Sequence, residues 1–146
     1  MATHDPRGKV IIDANLTLTD VGTAPGAIAS AGNTAVTSTN KVDLRTTTFW
    51  PTIMPRVIVR FPKGVALTSL ETLYVRVRDC ATSGGTYVRV AEQVLTNESL
   101  SSDGVVEIGI AKTMRYIEVY LYLENTASTS DLSSYTYTAW ISPHIS

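Results

Sequence analysis

At 146 residues with a formal net charge of −1, the chain is long enough for one core and carries no charge excess to attract nucleic acid or an anionic membrane. No apolar run approaches the roughly 18 residues that a spanning helix needs, and "MATHDPRGKVIID" lacks the apolar centre of a secretory signal. A single cysteine, Cys80, excludes an internal disulfide and suits a reducing cytosol, while charged residues (17%) fall below the roughly 25% of ordinary soluble domains.

Strand signals dominate in chain order. Residues 1–8 read as a free arm. "KVIIDANLTLTD" opens with a strand in which Leu16 and Leu18 alternate with Thr17 and Thr19. "VGTAPGAIASAGNTAVTSTN" is a small-residue stretch, read as a flexible arm or as an extended connection lying flat on another surface. "KVDLRT" is a short strand. "RVIVRF" sets Val57, Val59 and Phe61 against Arg56, Ile58 and Arg60. "VALTSLETL" offers at most a turn or two of helix, or a loop entering the next strand. "TLYVRVRD" sets Leu73, Val75 and Val77 against Tyr74, Arg76 and Arg78. The turn "ATSGGTY", with Gly84-Gly85 supplying positive φ, leads into "YVRVAEQVLT" and makes residues 72–96 a hairpin. Asp103-Gly104 starts another turn before "VVEIGIA". "RYIEVYLYLE" follows, then the loop "NTASTSDLSS" and a last strand, "YTYTAWI". About eight strands with no helices between them predict an all-β antiparallel sandwich, of which the jelly roll is the eight-strand form; residues 9–146 form that single domain.

The search for chemistry is mostly negative. His4 and His144 lie near the termini with no ligand spacing around them, and no phosphate loop, zinc signature or serine elbow is present. Cys80 lacks a basic partner in the sequence pattern. The sequons at Asn15 and Asn97 accompany no export signal and read as chance. The expectation is a non-enzymatic protein without cofactor or metal.

Two surface patterns carry more. Arg56, Arg60, Arg76, Arg78 and Arg89 fall on non-core faces; they form either a positive docking strip or cross-strand pairs with Glu71, Glu92, Glu107 or Glu118. In "RYIEVYLYLE", Ile117, Val119, Leu121 and Leu123 occupy one face, leaving Tyr116, Tyr120 and Tyr122 on the other, joined by Tyr137 if the last strand pairs alongside. A second sheet or loop covers them, or they form a protein interface, or a sugar platform. Phe49 and Trp50, before Pro51, pose the same choice between core plug and anchor.

The stretch "VIIDANLTLTD", an Ala/Thr-rich run and then "STNKVDL" resembles the opening of the small capsid cement (decoration) proteins of short-tailed bacteriophages. The matching positions are Ile12, Asp13, Leu16, Leu18, Thr19 and Asp20, then Ser38, Thr39, Asn40, Val42, Asp43 and Leu44. "MRYIEVYLYLENTASTSD…YTYTAWIS" is similar to that family's closing hairpin. Arg45 stands where a glycine is common, and "TTTFWPTIMPR" replaces a glycine-rich passage. The resemblance implies a jelly roll that oligomerises on the outer capsid surface of the virion and clamps adjacent major capsid subunits. The partners expected are the major capsid protein and a second or third copy of the chain, with no nucleic acid and no membrane. Expected contacts are Tyr116, Tyr120, Tyr122, Tyr137, Phe49 and Trp50. To these are added His4, Arg7 and Lys9 on the arm, and Arg56, Arg60, Arg76 and Arg78 for electrostatic docking. The alternative is a carbohydrate-binding β-sandwich module of a phage adhesion structure.

Overall fold

The computed structural model describes residues 3–4, 10–11, 18–19, 34–38, 40–44, 55–62, 65, 67–97, 104–110, 114–125, 132 and 135–143. The described strands are β1 (Thr3–His4), β2 (Val10–Ile11), β3 (Thr34–Thr37), β4 (Val42–Asp43) and β5 (Pro55–Arg60). They continue with β6 (Glu71–Cys80), β7 (Val88–Leu95), β8 (Val105–Gly109), β9 (Tyr116–Asn125) and β10 (Thr138–Pro143). No α-helix occurs among the described residues, and 67–70 is a loop that turns into β6.

Two antiparallel sheets face each other. One is three-stranded, β10-β5-β8; the other is five-stranded, β3-β9-β6-β7, with β4 also pairing β9. From β4 onward every connection crosses between sheets except the β6–β7 hairpin. Leu18 and Thr19 add a fourth position to the smaller sheet, because both backbone N–H groups donate to the Ala139 carbonyl of β10, at 2.8 and 3.3 Å. Four positions per sheet with this wrapping is the jelly-roll arrangement. The alternation in each strand explains the layers. Val57 and Val59 of β5, Phe61 just after it, Ile141 of β10 and Ile108 of β8 meet Leu73, Val75, Val77, Val119 and Leu121 in one core. Each such side chain contributes about 1.5–3 kcal/mol by leaving water.

The small-residue stretch before residue 40 is structural where described. Thr34–Thr37 is β3, paired with Leu123 through Tyr120 of β9, so this part of the stretch lies on the chain's own sheet. Within residues 1–8, Thr3 pairs Ile11 and His4 pairs Val10 in a two-stranded ladder that belongs to neither large sheet.

Side-chain hydroxyls close the edge where the two sheets meet. Ser38 donates its N–H to the Val119 carbonyl at 2.8 Å, and Val119 N–H donates back to Ser38 Oγ at 3.0 Å. The hydroxyl thus takes the place of a backbone carbonyl and extends the β3 ladder by one rung as the chain turns away. Thr19 does the same for the other sheet, its Oγ1 accepting from Ala139 N–H at 3.0 Å. Asn40 N–H donates to the Leu18 carbonyl at 2.9 Å, joining the two devices. Arg115 then forks onto Asp43 with bonds of 2.9 and 2.7 Å, and Leu44 N–H donates to the Arg115 carbonyl. Of the residues that carried the family resemblance, Leu18, Thr19, Ser38 and Asn40 therefore form one clasp, while Val42, Asp43 and Leu44 fasten the next turn to Ile117 and Arg115. Ile12, Asp13, Leu16, Asp20 and Thr39 lie outside the described residues.

Two glycines act for different reasons. Gly104 has φ 59°, as the turn required, and a Cβ there would lie 2.7 Å from the Phe61 carbonyl oxygen. The Gly84-Gly85 pair does not supply the expected positive φ. Gly85 is selected by space, since a Cβ would stand 2.5 Å from Cys80 Sγ.

Candidate functional site

The outer face of the five-stranded sheet gathers most of the unusual side chains. β9 is central, flanked by β3 and β4 on one side and β6 on the other. With Ile117, Val119, Leu121 and Leu123 turned to the core, Tyr116, Tyr120 and Tyr122 must face outward, and they are half-buried there. Register brings β6 side chains beside them: Tyr74 pairs Tyr122, Arg76 pairs Tyr120, and Arg78 pairs Glu118. On the far side, Tyr74 pairs Val94 and Arg76 pairs Glu92 of β7. An apolar stripe therefore crosses the sheet through Ala35, Tyr122, Tyr74 and Val94.

Among the described residues, what lies over these rings is arginine: Arg76 and Arg78 of β6, and Arg115 just before β9. The Arg76 guanidinium lies 5.0 Å from the Tyr74 ring and 5.9 Å from the Tyr122 ring. Arg78 lies 4.1 Å from Tyr120, and Arg115 lies 5.0 Å from Tyr116. Tyr74 and Tyr122 are tilted at 35° with centroids 6.2 Å apart. Each cation–π contact contributes about 0.5–1 kcal/mol at such partly exposed sites.

The same arginines are also paired with carboxylates. Arg76 Nε donates to Glu92 at 2.6 Å, and Arg89 Nη1 donates to the same oxygen at 2.9 Å. Arg78 donates through Nε at 2.9 Å, and again through Nη2, to Glu118, whose side chain is only 2% exposed. Tyr74 donates its hydroxyl to Glu124 at 2.8 Å, which with partial burial raises the phenol pKa. At the other end, Lys41 Nζ and Tyr87 hydroxyl both donate to the Ser83 carbonyl at 3.2 Å, with Lys41 4.8 Å from the Tyr87 ring. Burial, and then the charge of Glu118, push the Tyr87 phenol up to about 12.

The Glu92 carboxyl is held below its ordinary 4.5 chiefly by the hydrogen bond from Arg76, with burial opposing and Arg89 adding to the effect. A carboxylate depressed in the folded state contributes stability above its unfolded value, and loses that contribution as pH falls through the lowered folded value. Arg76→Gln will therefore flatten the acid limb of stability. Urea unfolding at stepped pH, from neutral down through the carboxylate range, checks this.

The expected contact residues separate into four groups. Tyr116, Tyr120, Tyr122, Arg76 and Arg78 share the face just described. Tyr137 does not: β10 pairs β5 in the other sheet, and Tyr137, preceding β10, is 1% exposed within the core, where burial raises its pKa. Arg56 and Arg60 stand on the outer side of the three-stranded sheet, because the chain crosses sheets between β5 and β6. The five arginines therefore form no single strip. Arg56 pairs Glu107 at 2.9 Å, while Arg60 is exposed with no described carboxylate in contact. Phe49, Trp50, Arg7 and Lys9 lie outside the described residues, and His4 is placed only by its backbone pairing with Val10. Tyr74, Tyr87 and Lys41 are additions that strand alternation left unconnected to the tyrosine strand. The antiparallel register of β6 against β9 is the signal that joins Tyr74 to it.

Among the described residues no group of three or more His, Cys, Asp or Glu is arranged to hold a metal ion. No protein-family model matches the chain, and no curated protein matches it. The chain is similar to a solved chain of Desmodium yellow mottle tymovirus at 11% identity, covering 87% of this chain and 93% of that one with a TM-score of 0.34.

Proposed function

We propose that this jelly roll is a non-enzymatic capsid cement protein that binds the outer surface of an icosahedral phage head and bridges neighbouring major capsid subunits. The observation that carries the reading is the clasp. Residues that resemble the cement-protein pattern in two separate segments, Leu18-Thr19 and Ser38 with Asn40, meet in space, joined by the bond from Asn40 N–H to the Leu18 carbonyl. A match due only to biased composition has no reason to converge in that way.

The tyrosine–arginine face supplies a contact surface suited to the role. Its arginines are already paired with carboxylates within the chain, so a partner meets few unpaired ions to desolvate. Its half-buried tyrosines present large area with few rotors to freeze. Each contact with the shell is weak, and many copies on one closed shell together raise the free energy needed to separate capsomers.

The test is co-sedimentation with expanded shells. The chain is expected to pellet with shells and to pass through a polysaccharide column unretained. Tyr122→Ser, which empties the centre of the apolar stripe, is expected to reduce shell occupancy several-fold. Retention on the polysaccharide with no shell binding would favour a sugar platform at Tyr74 and Tyr122 instead.

A further inference from the structure

Every sheet edge carries unpaired backbone groups that can template another strand. Three of the four edges here are short or occupied. The open side of β10 is taken by Leu18 and Thr19, β3 is four residues long, and β8 carries the Arg56–Glu107 pair at its centre. The fourth edge is β7, eight residues long, with no described strand beyond it. Its side chains are open to solvent despite being apolar: Val88 is 59% exposed, Val90 40% and Val94 43%. Three valines in eight residues, all exposed, would not be selected for solvation.

The usual guards of an edge strand are weakened here. The charges on β7 are Arg89 and Glu92, and they bond to each other and to Arg76. A bulge makes Val90 the extra residue, since Val77 pairs Ala91 while Arg78 pairs Arg89. The bulge also lets Arg89 and Glu92, three apart, share one face, as their 2.9 Å bond requires.

We propose that β7 pairs antiparallel with β7 of a second copy about a two-fold axis, extending the five-stranded sheet across both chains. Charge complementarity selects a second copy as the occupant. Antiparallel pairing reverses the order of Arg89 and Glu92. Arg89 and Glu92 both lie on the outer face across the bulge, so the symmetric register that matches face to face sets Arg89 of each chain opposite Glu92 of the other. Centring on Arg89 or on Glu92 would oppose like charges instead. Val90 and Ala91 of the two strands then meet at the axis, and the tyrosines of β6 and β9 stay free. A two-fold interface of this kind is isologous and closes, so it ends at a dimer. This inference deepens the homo-oligomer part of the proposed function. It is read in solution without shells, so its failure leaves shell binding standing.

The experiment is sedimentation velocity with light scattering across the micromolar range, beside amide hydrogen exchange. The full chain is expected at twice its 15.8 kDa mass, with slowed exchange along β7. Val88→Lys and Val94→Lys, at exposed positions, are expected to halve the mass and speed β7 exchange while leaving the circular dichroism unchanged. Arg89→Glu, which sets like charges side by side across the axis, is expected to shift the equilibrium to monomer. Tyr122→Ser is expected to leave the dimer intact. A mass of 15.8 kDa throughout the range would overturn the proposal, as would a dimer that survives both lysine variants or is lost with Tyr122→Ser.

Discussion

Arg78→Ala is expected to lower the unfolding free energy by about 3–5 kcal/mol, a large share of the roughly 5–15 kcal/mol that holds a domain together. The cause is what the substitution leaves behind. Glu118 sits on the outward side of β9, yet its side chain is 2% exposed, with Tyr87 near enough to sense its charge. Arg78 is its partner through two bonds to one oxygen. Removing the guanidinium strands a carboxylate away from water, and also takes the cation from over Tyr120. Arg78 itself is a quarter exposed, which places the effect toward the lower end of the range. The paired change Arg78→Met with Glu118→Leu is expected to recover most of the loss, since apolar replacements strand no charge. Urea midpoints at constant slope measure both. If Arg78→Ala cost no more than a surface ion pair, about 0–1 kcal/mol, Glu118 would not be the buried anion described.

The clasp gives the second large effect. Thr19→Val keeps the shape of the side chain but leaves Ala139 N–H without its acceptor, and Ser38→Ala does the same to Val119 N–H. A buried donor stranded in this way costs about 1–3 kcal/mol. Because Asn40 N–H ties the Ser38 segment to Leu18, the two sites share a hydrogen-bonded path, and the double variant is expected to depart from additivity. A double-mutant cycle in urea reads the coupling. Independent sites would show the two devices fastening each sheet separately. A coupling of about 0.5 kcal/mol or more would show them acting as one fastening between sheets.

The cement-protein reading and the β7 pairing place two different surfaces in service. The outer tyrosine–arginine face is aromatic and broad, with its arginines paired to carboxylates, which fits contact with a large shell. The β7 edge is narrow, valine-rich and backbone-driven, which fits a second copy of the same strand. Separate surfaces allow one chain to bind the shell and a sister chain at once, and this geometry is what bridging requires.

Strand alternation determined much of this molecule before any coordinates. Period-two patterns from Val57 to Phe61, Leu73 to Val77 and Ile117 to Leu123 located three long strands and assigned their buried faces, because burial on one side of a pleat leaves a local record. The absence of helices and the count of turns led to a jelly roll. Alternation also put tyrosines and arginines on outward faces. It could not tell which outward faces coincide. That depends on sheet membership and register, which are set by contacts between residues far apart in the chain.

The tertiary structure therefore decided the rest. It moved Arg56 and Arg60 to the opposite side of the sandwich from Arg76 and Arg78, and drew Tyr137 into the core. It brought Tyr74 against Tyr122 across a β6–β9 pairing between strands separated by two intervening elements. The cross-strand pairs were decided in the same way. Arg76 met Glu92 and Arg78 met Glu118 because strands β7 and β9 flank β6. Hydroxyls at Thr19 and Ser38 look in sequence like ordinary surface residues. Only the meeting of two sheet edges gives each one a backbone N–H to accept, and so buries it.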